Sequence, residues 1–209
     1  LTIYEVITQM TKWPEPFSIE GKYISVIPLS LDHQFDLEEA TADGDLHRLW
    51  YTSIPKPDGI KDEIEHRLQL QESGSMLPFS IIEKSSMKVV GMTTYMNIDA
   101  TNHRVEIGST WYRKSVQRSS LNTECKLLLL RHAFVELDCI AVEFRTHFIN
   151  QQSRKAIERI GAKFDGTLRS HMKMANGTMR DTAVYSIIAS EWPTVEANLT
   201  WMLGKPRGT

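Results

Sequence analysis

The stretch from Thr123 to Leu137 constrains the fold of this chain more than any other. Leu127, Leu128, Leu129 and Leu130 follow one another and are joined by Ala133 and Phe134, so a helix here is apolar around most of its girth. A surface helix needs only one apolar stripe, whereas one that is apolar on most sides has to be enclosed. Segments that read as strands flank it: Arg104 to Tyr112 before and Ile140 to Phe148 after, the second rich in β-branched and aromatic residues. Strand, buried helix, strand is the arrangement that joins two parallel strands through a crossover. The chain is therefore expected to build a sheet with one parallel pair and this helix laid across it.

The remaining segments read as antiparallel additions to that unit. Tyr23 to Leu29 alternates like a short strand closed by Pro28, and Asp32 to Ala40 and Asp43 to Tyr51 read as short acidic helices, each starting near an Asp able to cap it. After the loop Pro55-Lys56-Pro57-Asp58-Gly59, the spacing of Ile60, Ile64 and Leu68 predicts a one-sided helix ending before Gly74. Phe79 to Glu83 and Val89 to Met96 form a hairpin around a polar turn, and in the next strand Val105, Ile107, Ser109 and Trp111 share a face. Ser153 to Ile160 is a helix stopped by Gly161, and Lys163 to Met172 pairs with Thr182 to Ile188 around Asn176-Gly177. The fold class is α/β (α+β), a single mixed, mostly antiparallel sheet flanked by helices. An N-terminal arm is expected over 1–20, the domain over 21–193 and a C-terminal tail over 194–209.

Charge and composition exclude several classes. The 209 residues carry a formal charge of −2, which argues against coating nucleic acid. No apolar run approaches about 18 residues, so no membrane span is expected. Two cysteines make no disulfide framework, the N-terminus lacks the apolar core of a signal peptide, and a cytoplasmic setting is the expectation. The seven histidines show no metal-ligand spacing, and no metal is expected. The small net charge conceals a split: residues 1–102 hold 8 basic against 16 acidic side chains, and residues 103–180 hold 14 against 7.

The basic half contains the most informative stretch. Glu106-Ile107-Gly108-Ser109-Thr110-Trp111 leads through a loop to Gln117-Arg118-Ser119-Ser120-Leu121-Asn122-Thr123, which enters the buried helix. A helix N-terminus offers unpaired N–H groups and the positive end of a dipole to an anion. Arg113, Lys114 and Arg118 add charge, and Ser119, Ser120 and Thr123 add small hydroxyl donors. A plain capped helix, with Asn122 or Thr123 as N-cap, would look the same.

Trp111, Gln117 and the run Asn122 to Phe134 resemble the GNAT-superfamily acetyltransferases, in particular the ribosomal-protein N-terminal acetyltransferases of the RimJ/RimL-like branch. Asn150-Gln151-Gln152-Ser153 with Ile157 to Ala162 and Gly166, and Arg180-Asp181-Thr182 with Tyr185-Ser186 and Glu191-Trp192, are similar to that branch in order and spacing. The resemblance covers roughly residues 21–193. It implies acetyl-CoA as acyl donor, a splayed central strand pair that receives its pantetheine arm, and an amine acceptor, either a protein N-terminus or a small molecule. A homodimer is compatible with it.

The same resemblance assigns roles to residues. Cofactor binding falls to Thr110, Trp111, Gln117, Arg118, Ser119, Ser120, Leu121, Asn122 and Asn150. The family's phosphate loop carries small residues where this chain has Ser120 and Asn122, so weakened or reshaped binding is expected. Glu106 is the candidate general base; its alternative is a strand carboxylate paired with Arg104 or Arg145. Many members place a Tyr proton donor where this chain has Ile157, which leaves Ser153 to serve the leaving thiolate, its alternative being a helix N-cap. A non-catalytic acyl-CoA-binding module is the competing function. The acidic front half would border the acceptor side and suit a cationic amine.

Overall fold

The computed structural model of the chain describes residues 13–205. Eight strands form one sheet: β1 (Ile19–Glu20), β2 (Ile24–Pro28), β3 (Met76–Glu83), β4 (Lys88–Asp99), β5 (Arg104–Tyr112), β6 (Ala141–His147), β7 (Lys163–Lys173) and β8 (Met179–Ile188). Their spatial order is β1-β2-β3-β4-β5-β6-β8-β7. Every neighbouring pair is antiparallel except β5 and β6. Five α-helices accompany the sheet: α1 (Gln34–Ala42), α2 (Ile60–Glu72), α3 (Leu121–Arg131), α4 (Gln151–Arg159) and α5 (Trp192–Gly204). The mixed, mostly antiparallel fold class stands.

The parallel pair holds together only at its start. Arg104, Val105 and Glu106 register with Ala141, Val142 and Glu143, and beyond them β5 and β6 run on without pairing. The strands splay from Glu106 onward, leaving backbone donors and acceptors on both facing edges open to a third party.

Each face of the sheet has its own core. On one face the larger core joins Ile24, Phe79, Tyr95, Ile107, Phe144 and Tyr185 to Leu127–Leu130 of α3 and to Val195 and Leu199 of α5. All residues of α3 except Asn122 and Arg131 are buried, which is the enclosure its composition demands. On the other face Leu37, Ala40, Ile60 and Ile64 of α1 and α2 pack on Val89, Met92 and Trp111.

Several sequence expectations are corrected here. Trp111 does not share a face with Val105 and Ile107: Ser109 has φ +47°, the β4–β5 register slips between Met92 and Thr94, and the extra residue turns Trp111 to the opposite core. Asp43 to Tyr51 forms only a 3₁₀ turn at Leu46–Arg48, because Gly44 and Asp45 both take left-handed φ and end α1. Ser30, rather than Asp32, caps the turn that leads into α1. The stretch expected as a tail from 194 is instead helical through Gly204 and contributes Val195 and Leu199 to the core. Of the expected arm, residues 1–12 lie outside the described residues; within the rest, Phe17 stacks on His132 at 3.5 Å and β1 joins the sheet edge.

Candidate active site

The chain leaves β5 at Tyr112 and makes one 3₁₀ turn, Lys114–Val116, before α3. Asp43, read from sequence as a helix cap, braces this turn. Its Oδ2 accepts from Ser115 Oγ (2.6 Å), Ser115 N (3.0 Å) and Arg113 Nε (3.1 Å). The Ser115 hydroxyl, and after it the Ser115 amide and the Arg113 guanidinium, hold the Asp43 carboxyl below its ordinary range. Gln117 Nε2 donates to Tyr112 O (3.0 Å), tying the loop back to the strand end.

The helix begins at Leu121, two residues before the predicted start, and neither Asn122 nor Thr123 caps it. Ser119 Oγ accepts from Leu121 N (3.3 Å), and the buried Thr123 accepts from Arg159 of α4 (3.2 Å). Ser120 has φ −71° and ψ −20°, ordinary right-handed values that any residue adopts. The left-handed residue of the loop is Arg118, at φ +61°. Ser120 therefore differs from a glycine by the room it takes, not by backbone strain. The first-turn N–H groups of α3 still lack intrahelical partners.

Glu106 stands at the apex of the splay, 4% exposed. Its carboxylate accepts from Asn97 Nδ2 (2.6 Å) and lies 3.5 Å from Arg145 Nε. Of the two arginines proposed as partners, Arg104 goes to Glu143 (2.5 Å), and Arg145 binds Glu143 more closely than Glu106. Burial raises the Glu106 pKa above its ordinary 4.5, and the Asn97 bond and the Arg145 charge oppose it without prevailing. A desolvated carboxyl of this kind is a stronger proton acceptor than a surface one. Gly108 gives it room, since a Cβ there would lie 2.8 Å from Glu106 Oε1.

The other expected residues fall into different settings. The Trp111 side chain is in the core, which leaves only its backbone for a ligand. Thr110 Oγ1 faces inward to Thr93 Oγ1 (2.8 Å) and Lys126 Nζ (2.8 Å). Asn150 caps α4, its Oδ1 accepting from Ser153 N (3.0 Å). Ser153 is therefore not the cap, and its hydroxyl is spared that duty. Ile157 packs in the larger core.

Lys126 was not singled out by sequence reasoning, although a lone cation inside an apolar helix is a visible signal. It is 6% exposed and bonded to threonine hydroxyls, and burial lowers its pKa from 10.5 to about 8. Between those values the unfolded chain holds a proton that the folded chain releases, so stability rises with pH there. Lys126→Met should remove that rise and stabilise the protein at pH 7 by roughly 2–4 kcal/mol. Urea titrations of both proteins at pH 7 and pH 10 check this; parallel pH dependence would show that Lys126 is already solvated.

Among the described residues no helix is long and apolar enough to cross a membrane, and no cluster of three His, Cys, Asp or Glu could hold a metal ion. Comparison with known proteins adds family evidence. Residues 25–163 match the acetyltransferase (GNAT) domain model. Over 102 residues the chain is 32% identical to a Bacillus subtilis (strain 168) protein named "Putative ribosomal N-acetyltransferase YdaF", a match covering 49% of this chain and 55% of that protein. Thus the match spans about half of that relative's length. A GCN5-related N-acetyltransferase from Brucella melitensis superposes with a TM-score of 0.83 at 33% identity, over 91% of this chain and 87% of that one. Mycobacterium smegmatis RimJ, solved in complex with CoA-disulfide, shares the fold at a TM-score of 0.73 and 20% identity, over 91% and 96% of the two chains.

Proposed function

The chain belongs to the GNAT acetyltransferase family, and from that premise we propose that it moves an acetyl group from acetyl-CoA to an amine by direct attack. The acceptor is a protein N-terminus or a small-molecule amine. The observation that carries this reading is the opening of β5 and β6 with a buried carboxylate, Glu106, at its apex and the N-terminus of α3 just past the end of β5. The CoA complex of the RimJ neighbour supports the choice of donor.

In this mechanism the first-turn N–H groups of α3, with Arg118 and the Ser119 and Ser120 hydroxyls, hold the donor's phosphates. The unpaired edges of β5 and β6 take the pantetheine amides, with the backbone of Thr110 and Trp111 on one side and Asn150 at the end of the other. Glu106 removes a proton from the incoming ammonium, directly or through water, so that the amine nitrogen can form its bond to the thioester carbon. As the carbon–sulfur bond breaks, Ser153 hydrogen-bonds the departing sulfur, which leaves as the thiol with the second proton shed by the new amide nitrogen, relayed through Ser153 or water. The buried free thiols of Cys125 and Cys139 suit a reducing, cytoplasmic setting.

A thiol-release assay with acetyl-CoA against peptides, polyamines and aminoglycosides tests this reading. Turnover is expected with at least one amine class, and Ser153→Ala should lower kcat about tenfold while barely moving KM for acetyl-CoA. Calorimetric binding of acetyl-CoA without turnover on the whole panel would establish a non-catalytic acyl-CoA-binding module instead. An unchanged rate for Ser153→Ala would remove that residue from the mechanism.

A further inference from the structure

The face of the sheet that carries Glu106 also gathers four arginines, Arg67, Arg104, Arg145 and Arg180. Going outward from Glu106, their partners can be followed one by one. Arg67 of α2, itself buried, binds Glu63 (2.6 Å) and Thr94 Oγ1 (2.7 Å), and Thr94 is opposite Gly108 in the β4–β5 pairing. Arg104 binds Glu143, and Arg145 is shared by Glu143 and Glu106. These pairs involve Glu63, Glu106 and Glu143, while Asp99, opposite Arg104 in the β4–β5 pairing, accepts from Asn102 Nδ2 (2.7 Å). Of these four guanidiniums, that of Arg180 on β8 alone makes no ion pair among the described residues.

Arg180 is held in place without being neutralised. Its Nε donates to Thr182 Oγ1 (3.0 Å), and Thr182 is directly opposite His147 in the β6–β8 pairing. The side chain thus lies along β8 beside the end of β6, near enough for its charge to act on both Glu106 and His147. Among the described residues its two terminal nitrogens donate to nothing, although the residue is half-buried. A guanidinium presents those two nitrogens as a planar fork that fits a carboxylate.

His147 supplies the second observation. It is 6% exposed, and its Nδ1 accepts from Ile149 N (3.4 Å), which puts the ring proton of the neutral form on Nε2. That Nε2 has no hydrogen-bond partner among the described residues. Trp50, from the segment joining α1 to α2, covers the ring edge-on at 5.7 Å. Burial, and after it the Arg180 charge, lowers the His147 pKa and favours this neutral donor; Asp181, the other charged neighbour, pulls the opposite way but is itself bonded to Arg169.

We propose that Arg180, oriented by Thr182 and flanked by His147, forms an anion subsite beside Glu106, and that the acceptor is a primary amine carrying a carboxylate close to its amino group. This rests on the acetyltransferase reading above. The two charges of such an acceptor meet opposite partners, its ammonium at Glu106 and its carboxylate at Arg180. A polyamine would bring positive charge and no carboxylate to a guanidinium that lacks an ion pair. The carboxylate can be the α-carboxyl of a free amino acid or an acidic side chain at a peptide N-terminus, and the chemistry at Arg180 is the same.

Matched acceptor pairs test the proposal: alanine against alaninamide, and Ala-Glu-Ala-amide against Ala-Gln-Ala-amide, with spermidine as the cationic control. In the wild-type protein the carboxylate member of one pair should show at least a tenfold higher kcat/KM, and the pair that does so identifies the source of the carboxylate. Arg180→Gln should collapse that ratio to below twofold, and Arg180→Lys should restore part of it. A uniform loss on both members with the ratio intact would give Arg180 a structural role and overturn the proposal. The wild-type comparison needs no variant: equal rates within both pairs, or spermidine as the fastest acceptor, overturns the subsite while leaving acetyl transfer standing. Acetyl-CoA binding with no turnover of any amine overturns both.

Discussion

Glu106→Gln should lower kcat/KM by about a hundredfold or more, with acetyl-CoA affinity little changed. Glutamine keeps the shape of the side chain and an oxygen to accept from Asn97, so the apex of the splay should stay intact. It cannot take a proton from an ammonium group, and it also gives up the charge that faces Arg145 at 3.5 Å. The pH dependence gives a second check. A base must be ionised to act, so the wild-type rate should fall as pH drops through the Glu106 pKa. Because burial raises that pKa, the fall should come above pH 4.5, and the variant should lack it. A variant as active as the wild type would leave Glu106 as a buried structural carboxylate, and proton removal would then belong to another group or to water.

Glu124→Ala should destabilise the protein by about 3–5 kcal/mol. Glu124 lies in the first turn of α3, is buried, and accepts from three backbone amides in the turn between β1 and β2: Lys22 N (2.7 Å), Tyr23 N (2.7 Å) and Ile24 N (3.0 Å). Alanine removes the acceptor and leaves these donors facing apolar surroundings. Water can reach the Lys22 amide more readily than that of Ile24, which keeps the cost below the sum of three lost bonds. Glu124→Gln retains one acceptor oxygen but turns an NH₂ group toward the remaining donors, and should cost roughly half as much. Urea denaturation measures both. A loss under about 1 kcal/mol for Glu124→Ala would mean that the turn rehydrates freely and that Glu124 does not pin α3 to the sheet.

The helix that fixed the opening expectation is buried as its leucines require, and the strands on either side of it pair in parallel as the crossover demands. The β3–β4 hairpin and the final strand pair also lie where alternation and the Asn176-Gly177 turn placed them. These features were legible because each is written in neighbouring residues, as a period or a turn. Glu106 and Ser153 could be named through the resemblance, but their surroundings could not. That Arg145 rather than Arg104 approaches Glu106, and that Asn150 rather than Ser153 caps α4, depends on which side chains converge after folding.

By itself, then, the sequence determined the order of the elements, the crossover and the position of the loop that leads into α3, since hydrophobic periodicity and turn chemistry act over a few residues. Tertiary structure alone decided the rest. One inserted residue at Ser109 reversed the face of Trp111, a change that a strict two-residue alternation cannot express. Asp43 reaches Ser115 and Glu124 reaches Lys22 across 72 and 102 positions of chain. That Arg180 is left without an ion pair emerges only when the arginines and carboxylates of α2, β5, β6 and β8 are seen together on one face of the sheet. No local pattern encodes such meetings, because they are set by the packing of distant segments and not by the preferences of any one of them.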